Sequence, residues 1–168
     1  DSSEFKISDL EIFKNFKKPI FFCTGNHDYY IKGSKEKLDQ LSNYNINYLN
    51  NCSKLIKHFN IIGINDNQNI YEQKKIVKRY FNKDKFNIFL THKPSLFKIL
   101  DFPGLMLSGH THNGQIFPFN FIVKIKFQHI YGLFKKTNTD LYVSSGSGCW
   151  GPRMRLGSDN EIVVLEFI

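Results

Sequence analysis

Leu105-Met106-Leu107-Ser108-Gly109-His110-Thr111-His112 runs a short apolar stretch straight into a glycine and two histidines. An apolar run this short, closed by a glycine turn, reads as a buried strand rather than a helix. The same arrangement recurs on working outward. Phe86-Asn87-Ile88-Phe89-Leu90 ends in Thr91-His92-Lys93-Pro94, and Pro19-Ile20-Phe21-Phe22-Cys23 ends in Thr24-Gly25-Asn26-His27-Asp28. Three strand ends therefore deliver histidine in the same chain direction. Open α/β sheets place their binding sites at the carboxyl ends of strands, so an α/β fold with a polar site at those ends is expected.

The remaining pattern fills in around these strands. A rough helical stripe of Phe5, Leu10, Ile12, Phe13 and Phe16 predicts a helix within residues 4–17, with Ser8 as a possible cap. A helix over 33–43 is followed by two or three strands within 46–64, turning near Asn50-Asn51. Ile70, Val77 and Phe81 on one side, against Lys74 and Lys78, predict an amphipathic helix over 69–81. Pro94 suits the first turn of another helix. Beyond residue 115 only strands and turns are expected: an imperfect alternation through 122–127, a short strand at Leu141-Tyr142-Val143 and a firm last strand from Ile162 to Phe167. No repeat or Pro/Gly-rich linker divides the chain, so a single domain over 1–168 is expected.

Composition narrows the function classes. Hydrophobic residues make 41% of the 168 residues, with 17 Phe and 8 Tyr, which is enough apolar area for one ordered core and excludes disorder. A net charge of +8, from 23 basic and 15 acidic side chains, favours phosphates, nucleic acid or anionic lipid as partners. Cys23, Cys52 and Cys149 are odd in number and never form a C-x-x-C pair, so they read as buried free thiols rather than a disulfide framework or a thiolate zinc site. No apolar run reaches the roughly 20 residues of a membrane span, and Asp1-Ser2-Ser3-Glu4 is not a signal peptide.

The polar strand ends hold the residues that can do chemistry. In a tight loop opened by Gly109, the imidazoles of His110 and His112 can face one cavity and bind neighbouring metals; the alternative is a solvent-exposed loop. Asn26 offers a neutral amide oxygen that completes a metal shell without adding charge. Asp28 can hold His27 in one tautomer; the alternative is that Asn26 and Asp28 are ordinary turn residues and His27 a satisfied surface histidine. His92 taken alone reads as a surface histidine.

Three blocks in this order, Gly25-Asn26-His27-Asp28, then Thr91-His92-Lys93-Pro94, then Ser108-Gly109-His110-Thr111-His112-Asn113-Gly114-Gln115, resemble the calcineurin-like metallophosphoesterases. The likeness continues through Tyr131-Gly132-Leu133 and the stretch Tyr142 to Gly157, and covers nearly the whole chain. That tail is similar to a bacterial membrane-associated branch that hydrolyses phosphodiester or pyrophosphate-type bonds, including a nucleotide-diacylglucosamine. The resemblance implies a two-sheet, four-layer sandwich with flanking helices and two divalent ions, with manganese, iron and zinc equally suited to the donor set. It implies that Asn26, His92 and His110 are ligands of the second metal and His112 of the first. It implies that His27 steadies or protonates the phosphate in the transition state, with Asp28 as its orienting partner. Lys93, Arg153 and Arg155 are candidate phosphate contacts, arginine being the better bidentate partner, and solvated surface charge is the alternative for each.

The pattern of that family opens with an Asp-x-His block and a Gly-Asp block, and neither occurs among residues 1–25. With no starting methionine, the expectation is the carboxyl-terminal part of a longer enzyme, lacking an amino-terminal segment that supplies the bridging carboxylate. Such a piece is expected to bind metal weakly through Asn26, His92 and His110 and to be inactive alone. A degenerate member, kept as a scaffold or regulatory module, is the alternative. The substrate expected is a small phosphorylated or lipid-linked molecule. Residues 116–127, unusually apolar with two lysines, can rest at an anionic membrane surface, or form core strands with edge lysines. Inner-membrane association or a cytoplasmic location follows from the resembled branch. Nucleic acid, with a single-strand nuclease as the corresponding activity, is less favoured because the basic residues are diffuse and no reading motif occurs.

Overall fold

Apolar runs without a polar face must be covered on both sides, and this condition builds the main sheet. The computed structural model describes residues 5–30 and 33–167. Strands β1 (Ile20–Phe22) and β2 (Ile46–Tyr48) pair in parallel, Ile20 opposite Ile46, as a small sheet. Strands β3 (Cys52–Ile56), β4 (Phe59–Ile64), β5 (Phe86–Thr91), β6 (Gly104–Ser108), β7 (Gly132–Lys135) and β8 (Thr139–Val143) form the large one. Its order is β3-β4-β5-β6-β8-β7, with β4, β5, β6 and β8 mutually parallel and antiparallel β3 and β7 at the edges. The architecture is mixed α/β, as expected.

Helix α1 spans Ser34–Asp39 and continues as a 3-10 turn over Leu41–Tyr44. Helix α2, Ile70–Tyr80, starts where Asn69 Oδ1 accepts the N–H groups of Tyr71 and Glu72, an N-cap of the usual kind. It buries Val77 against Ile62, Ile64, Phe89 and Met106 of the sheet, with Leu96, Phe97 and Leu100 of the Pro94 turn closing the same core. A second cluster, Leu41, Tyr44 and Ile46, is covered by Ile7, Leu10 and Phe13.

Asn65, at the end of β4, ties the sheets together. Its Oδ1 accepts the Thr24 N–H at 3.4 Å, and its Nδ2 donates to Tyr48 Oη at 3.0 Å and to Asn50 Oδ1 at 2.6 Å. It is buried, and each of these bonds answers a polar atom that burial would otherwise leave unsatisfied.

Four expectations need correction. The first helix is a 3-10 segment, Ile7–Asn15, in which Ser8 lies inside; Lys6 holds the cap position and its N–H donates to Asp9 Oδ2 at 3.0 Å. Residues 119–126 are not a strand but helix α3, Phe119–Lys126, entered from Pro118. A helix satisfies its own backbone, whereas strand pairing needs a free edge in register, which propensity alone does not supply. For the same reason residues 162–167 form no strand among the described residues: Ile162 and Val164 are 90% and 89% exposed, while Phe167 packs on Phe59 and Phe86 at 5.1 and 5.3 Å. The cysteines are free, but Cys149 is exposed, because it sits in the glycine-rich loop after β8 rather than in a strand. Among the described residues no helix is long and apolar enough to cross a membrane.

Candidate metal centre

Parallel pairing of β4, β5, β6 and β8 brings their carboxyl ends to one side of the sheet. The β5 and β6 ends are joined by Gly109 N–H donating to His92 O at 3.0 Å and by Thr91 Oγ1 and Ser108 Oγ at 2.8 Å. The end of β1 arrives from the small sheet, held by Asn65. There the Gly25 N–H donates to Asp28 Oδ2 at 2.7 Å, closing the turn that presents Asn26. Gly25 is required at this point because a Cβ there would lie 2.7 Å from His92 Nδ1.

Three of the expected ligands meet. Asn26 Oδ1 is 2.8 Å from His92 Nε2, and His110 Nδ1 is 2.9 Å from the same nitrogen. The two imidazoles stand edge to face with centroids 4.7 Å apart. Burial lowers the pKa of His92, and it pushes His110 down to about 3, helped by the neighbouring charge of His92. Both rings are therefore neutral at physiological pH and present lone pairs. One ring nitrogen carries either a proton or a lone pair, so His92 Nε2 cannot serve an amide oxygen and a second imidazole nitrogen on equal terms. A divalent cation satisfies all three donors at once, and the donor set fits one. Among the described residues no three His, Cys, Asp or Glu side chains gather closely enough to hold an ion, so the amide of Asn26 is what makes the third donor.

The loop carrying His110 is locally strained. His110, His112, Asn113 and Gln115 all have positive φ, at 70°, 50°, 50° and 46°. Left-handed backbone costs non-glycine residues about 1–2 kcal/mol each, and such strain persists where surrounding contacts over-determine it. Here the contacts are supplied by two side chains. Gln115 Oε1 accepts the Trp150 N–H at 2.6 Å, and its Nε2 donates to Trp150 O at 2.7 Å and to Pro152 O and Met154 O, both at 3.2 Å. Arg155 donates from Nη1 to His112 O and Asp159 O, both at 3.2 Å, and from Nη2 to Ser145 O at 2.8 Å and Gly146 O at 3.3 Å.

The other expected site residues have partners of their own. His112 has Nδ1 3.4 Å from Arg155 Nη2, and its pKa is lowered by burial and then by the Arg155 charge. The His27 ring stands edge to face with the Tyr30 ring, with centroids 5.9 Å apart. Among the described residues Asp28 makes no hydrogen bond to His27; its carboxylate serves the Gly25 turn instead. Lys93 is paired at 2.6 Å with Asp66, whose side chain is only 3% exposed. Arg153 is exposed on the loop beyond Trp150. The guanidinium of Arg155 is engaged by backbone carbonyls, because three loops bring their carbonyl oxygens to one place.

Sequence reasoning missed Asn65, Asp66 and Gln115. The signal for the first two was present: Ile61-Ile62-Gly63-Ile64 runs into Asn65-Asp66 as the other apolar strands run into theirs, without a histidine to draw attention.

A family model for the calcineurin-like phosphoesterases matches residues 2–114, which include both the Asn26 turn and the two-histidine loop. The chain belongs to the calcineurin-like phosphoesterase family. Among similar proteins, an uncharacterized metallophosphoesterase of Campylobacter jejuni is 41% identical over 170 residues, covering 95% of this chain and 45% of its own length. Another, from Helicobacter pylori, is 36% identical over 179 residues, covering 95% of this chain and 48% of its own. A bovine protein named as a transmembrane protein with metallophosphoesterase domain is 32% identical over 168 residues, covering 86% of this chain and 38% of its own. This phosphoesterase chain thus spans less than half the length of these curated relatives. No solved structure matches it.

Proposed function

We propose that the protein containing this chain is a dinuclear metal-dependent hydrolase of phosphodiester or pyrophosphate bonds, with a small phosphorylated or lipid-linked substrate. The observation that carries the reading is the convergence of Asn26 Oδ1 and His110 Nδ1 on His92 Nε2, at 2.8 and 2.9 Å, in the loops that follow three strands. Two divalent ions, when bound, supply the charge that clamps phosphate oxygens and acidifies the attacking water.

The chain's own residues take the following parts in this proposal. Asn26, His92 and His110 hold one ion, and the low pKa of His110 keeps its nitrogen unprotonated well below neutral pH. His112, steadied by Arg155, faces the other ion. His27, whose ring stands against that of Tyr30, is assigned the proton delivered to the leaving oxygen. Lys93, anchored by Asp66, and Arg153 are proposed to attract the phosphate, while Arg155 acts mainly by holding the loops. Among the described residues the cluster holds two imidazoles and one amide, a set that leaves the ionic charge without a carboxylate; we propose weak metal binding and no turnover for this chain alone. Manganese, iron and zinc all suit the donors. A nucleotide-linked acylated sugar, as in the branch that the tail resembles, is one proposed member of the substrate class.

Chelator-treated intact protein is expected to hydrolyse bis(p-nitrophenyl) phosphate or a dinucleoside pyrophosphate once manganese, ferrous iron or zinc is returned. Absence of metal-dependent hydrolysis with all three ions and both substrate types overturns the reading.

A further inference from the structure

Helix α3 has no buried residue, and a helix of 8 residues does not persist in water without tertiary support. Its two ends provide that support, and both ends rest on the histidine loop. A Cβ on Gly114 would clash with the Cα of Asn120 near the helix start, and the ring of Phe127 at the helix end lies 5.2 Å from the ring of His110. What these anchors hold outward is apolar. Phe117, Phe119, Phe121, Ile122 and Ile125 are all exposed, Ile125 at 84%.

The order of residues sorts the faces. At about 100° per residue, Asn120 and Val123 share the inward side, where both are half-buried. Phe121, Ile122 and Ile125 share the outward side, with Lys124 on one flank of that stripe and Lys126 on the other. From residue 102 to residue 139 the sequence has no Asp or Glu, while Lys124, Lys126, Lys135 and Lys136 fall within it. A surface that is apolar at its centre and cationic at its flanks is complementary to an anionic interface with an apolar interior.

We infer that α3 docks the protein on an anionic lipid surface and holds the histidine loop against it. Phe121, Ile122 and Ile125 enter the boundary between headgroups and acyl chains, and the lysine stems extend sideways so that their amines reach the phosphates. An acidic protein partner would answer the lysines but would leave the apolar stripe to a separate match, so the lipid surface accounts for both features together. The consequence for the substrate rests on the hydrolase reading: docking sets the site at headgroup level and selects a lipid-linked phosphoester.

Co-sedimentation of the intact protein with vesicles of equimolar phosphatidylglycerol and phosphatidylcholine, and with phosphatidylcholine alone, tests the inference. Binding to the mixed vesicles and little to the neutral ones is expected. The double substitution Lys124→Gln with Lys126→Gln is expected to weaken binding roughly 25- to 30-fold, at about a factor of five per lysine. Ile122→Asp with Ile125→Asp is expected to abolish it. Divalent-metal affinity should be unchanged in both variants, so loss of metal binding in the parent protein would count against the hydrolase reading and leave docking intact. Failure to bind anionic vesicles, or equal binding by the aspartate variant, would overturn the docking role.

Discussion

Replacing His92 with alanine is expected to lower divalent-metal affinity by more than a hundredfold while the chain still folds. His92 Nε2 is the atom shared by the other two donors, 2.8 Å from Asn26 Oδ1 and 2.9 Å from His110 Nδ1, so its loss leaves an amide and one imidazole that no longer have a common point. Losing an outer partner of a metal ligand typically costs about 10–100-fold, and removal of a direct donor exceeds that. The fold should tolerate the change because the ring is packed beside the Gly25 turn and the His110 ring rather than in the main core. Calorimetric titration with manganese or zinc, beside a urea unfolding curve, separates the two effects. An affinity within a few-fold of the parent would remove His92 from the site.

A large loss of stability is expected from Gly63→Ala in β4. A Cβ at this position would collide with the Leu49 side chain and lie 2.6 Å from the Leu49 carbonyl oxygen. Leu49 is buried, and its N–H donates to Phe22 O at 2.8 Å, so it cannot withdraw without pulling on β1 and with it the Asn26 turn. Overpacking against backbone belongs at the upper end of the usual range, about 3 kcal/mol. For a chain of this size the melting temperature should fall by roughly 6–12 °C. Gly148→Ala is the control: a Cβ there meets nothing within 4 Å, and the change should be within about 0.5 kcal/mol. Equal melting temperatures for the two variants would mean that the sheets are not joined through Leu49.

Both predictions concern places where sequence was partly informative. The apolar stretches β1, β5 and β6 could be read directly, since strands of a mostly parallel sheet are written as nearly continuous apolar runs, and their polar ends pointed to the site. Helix α2 was equally plain, because period and cap agree. Helix α3 was hidden: Ile122, Lys124 and Lys126 alternate with Val123, Ile125 and Phe127, a pattern that serves a strand or a short helix, and only the packing of Asn120 on Gly114 decides between them. Residues 162–167 show the converse. They are apolar and β-branched, yet form no ladder among the described residues, because a strand is defined by its neighbour.

The site divides in the same way. Asn26, His92 and His110 stand in blocks that a reader can pick out, and the structure brings those three together. The tasks of Arg155 and Asp66 could not be read. The partners of Arg155 are backbone carbonyls from separate loops, and every residue carries a carbonyl, so nothing in the sequence marks them. Asp66 answers Lys93 across 27 positions of chain, and no local periodicity connects the two.

The account depends on one ion being shared by particular atoms of two histidines. Nitrogen-15 NMR of the imidazoles during a zinc titration of the intact protein examines this atom by atom. The expected result is a coordinated shift of His92 Nε2 and His110 Nδ1 with a common stoichiometry, while His58 and His129 stay unchanged. Zinc bound with either of those two nitrogens unperturbed, or with the two responding at different ion concentrations, would contradict a shared cation at this centre.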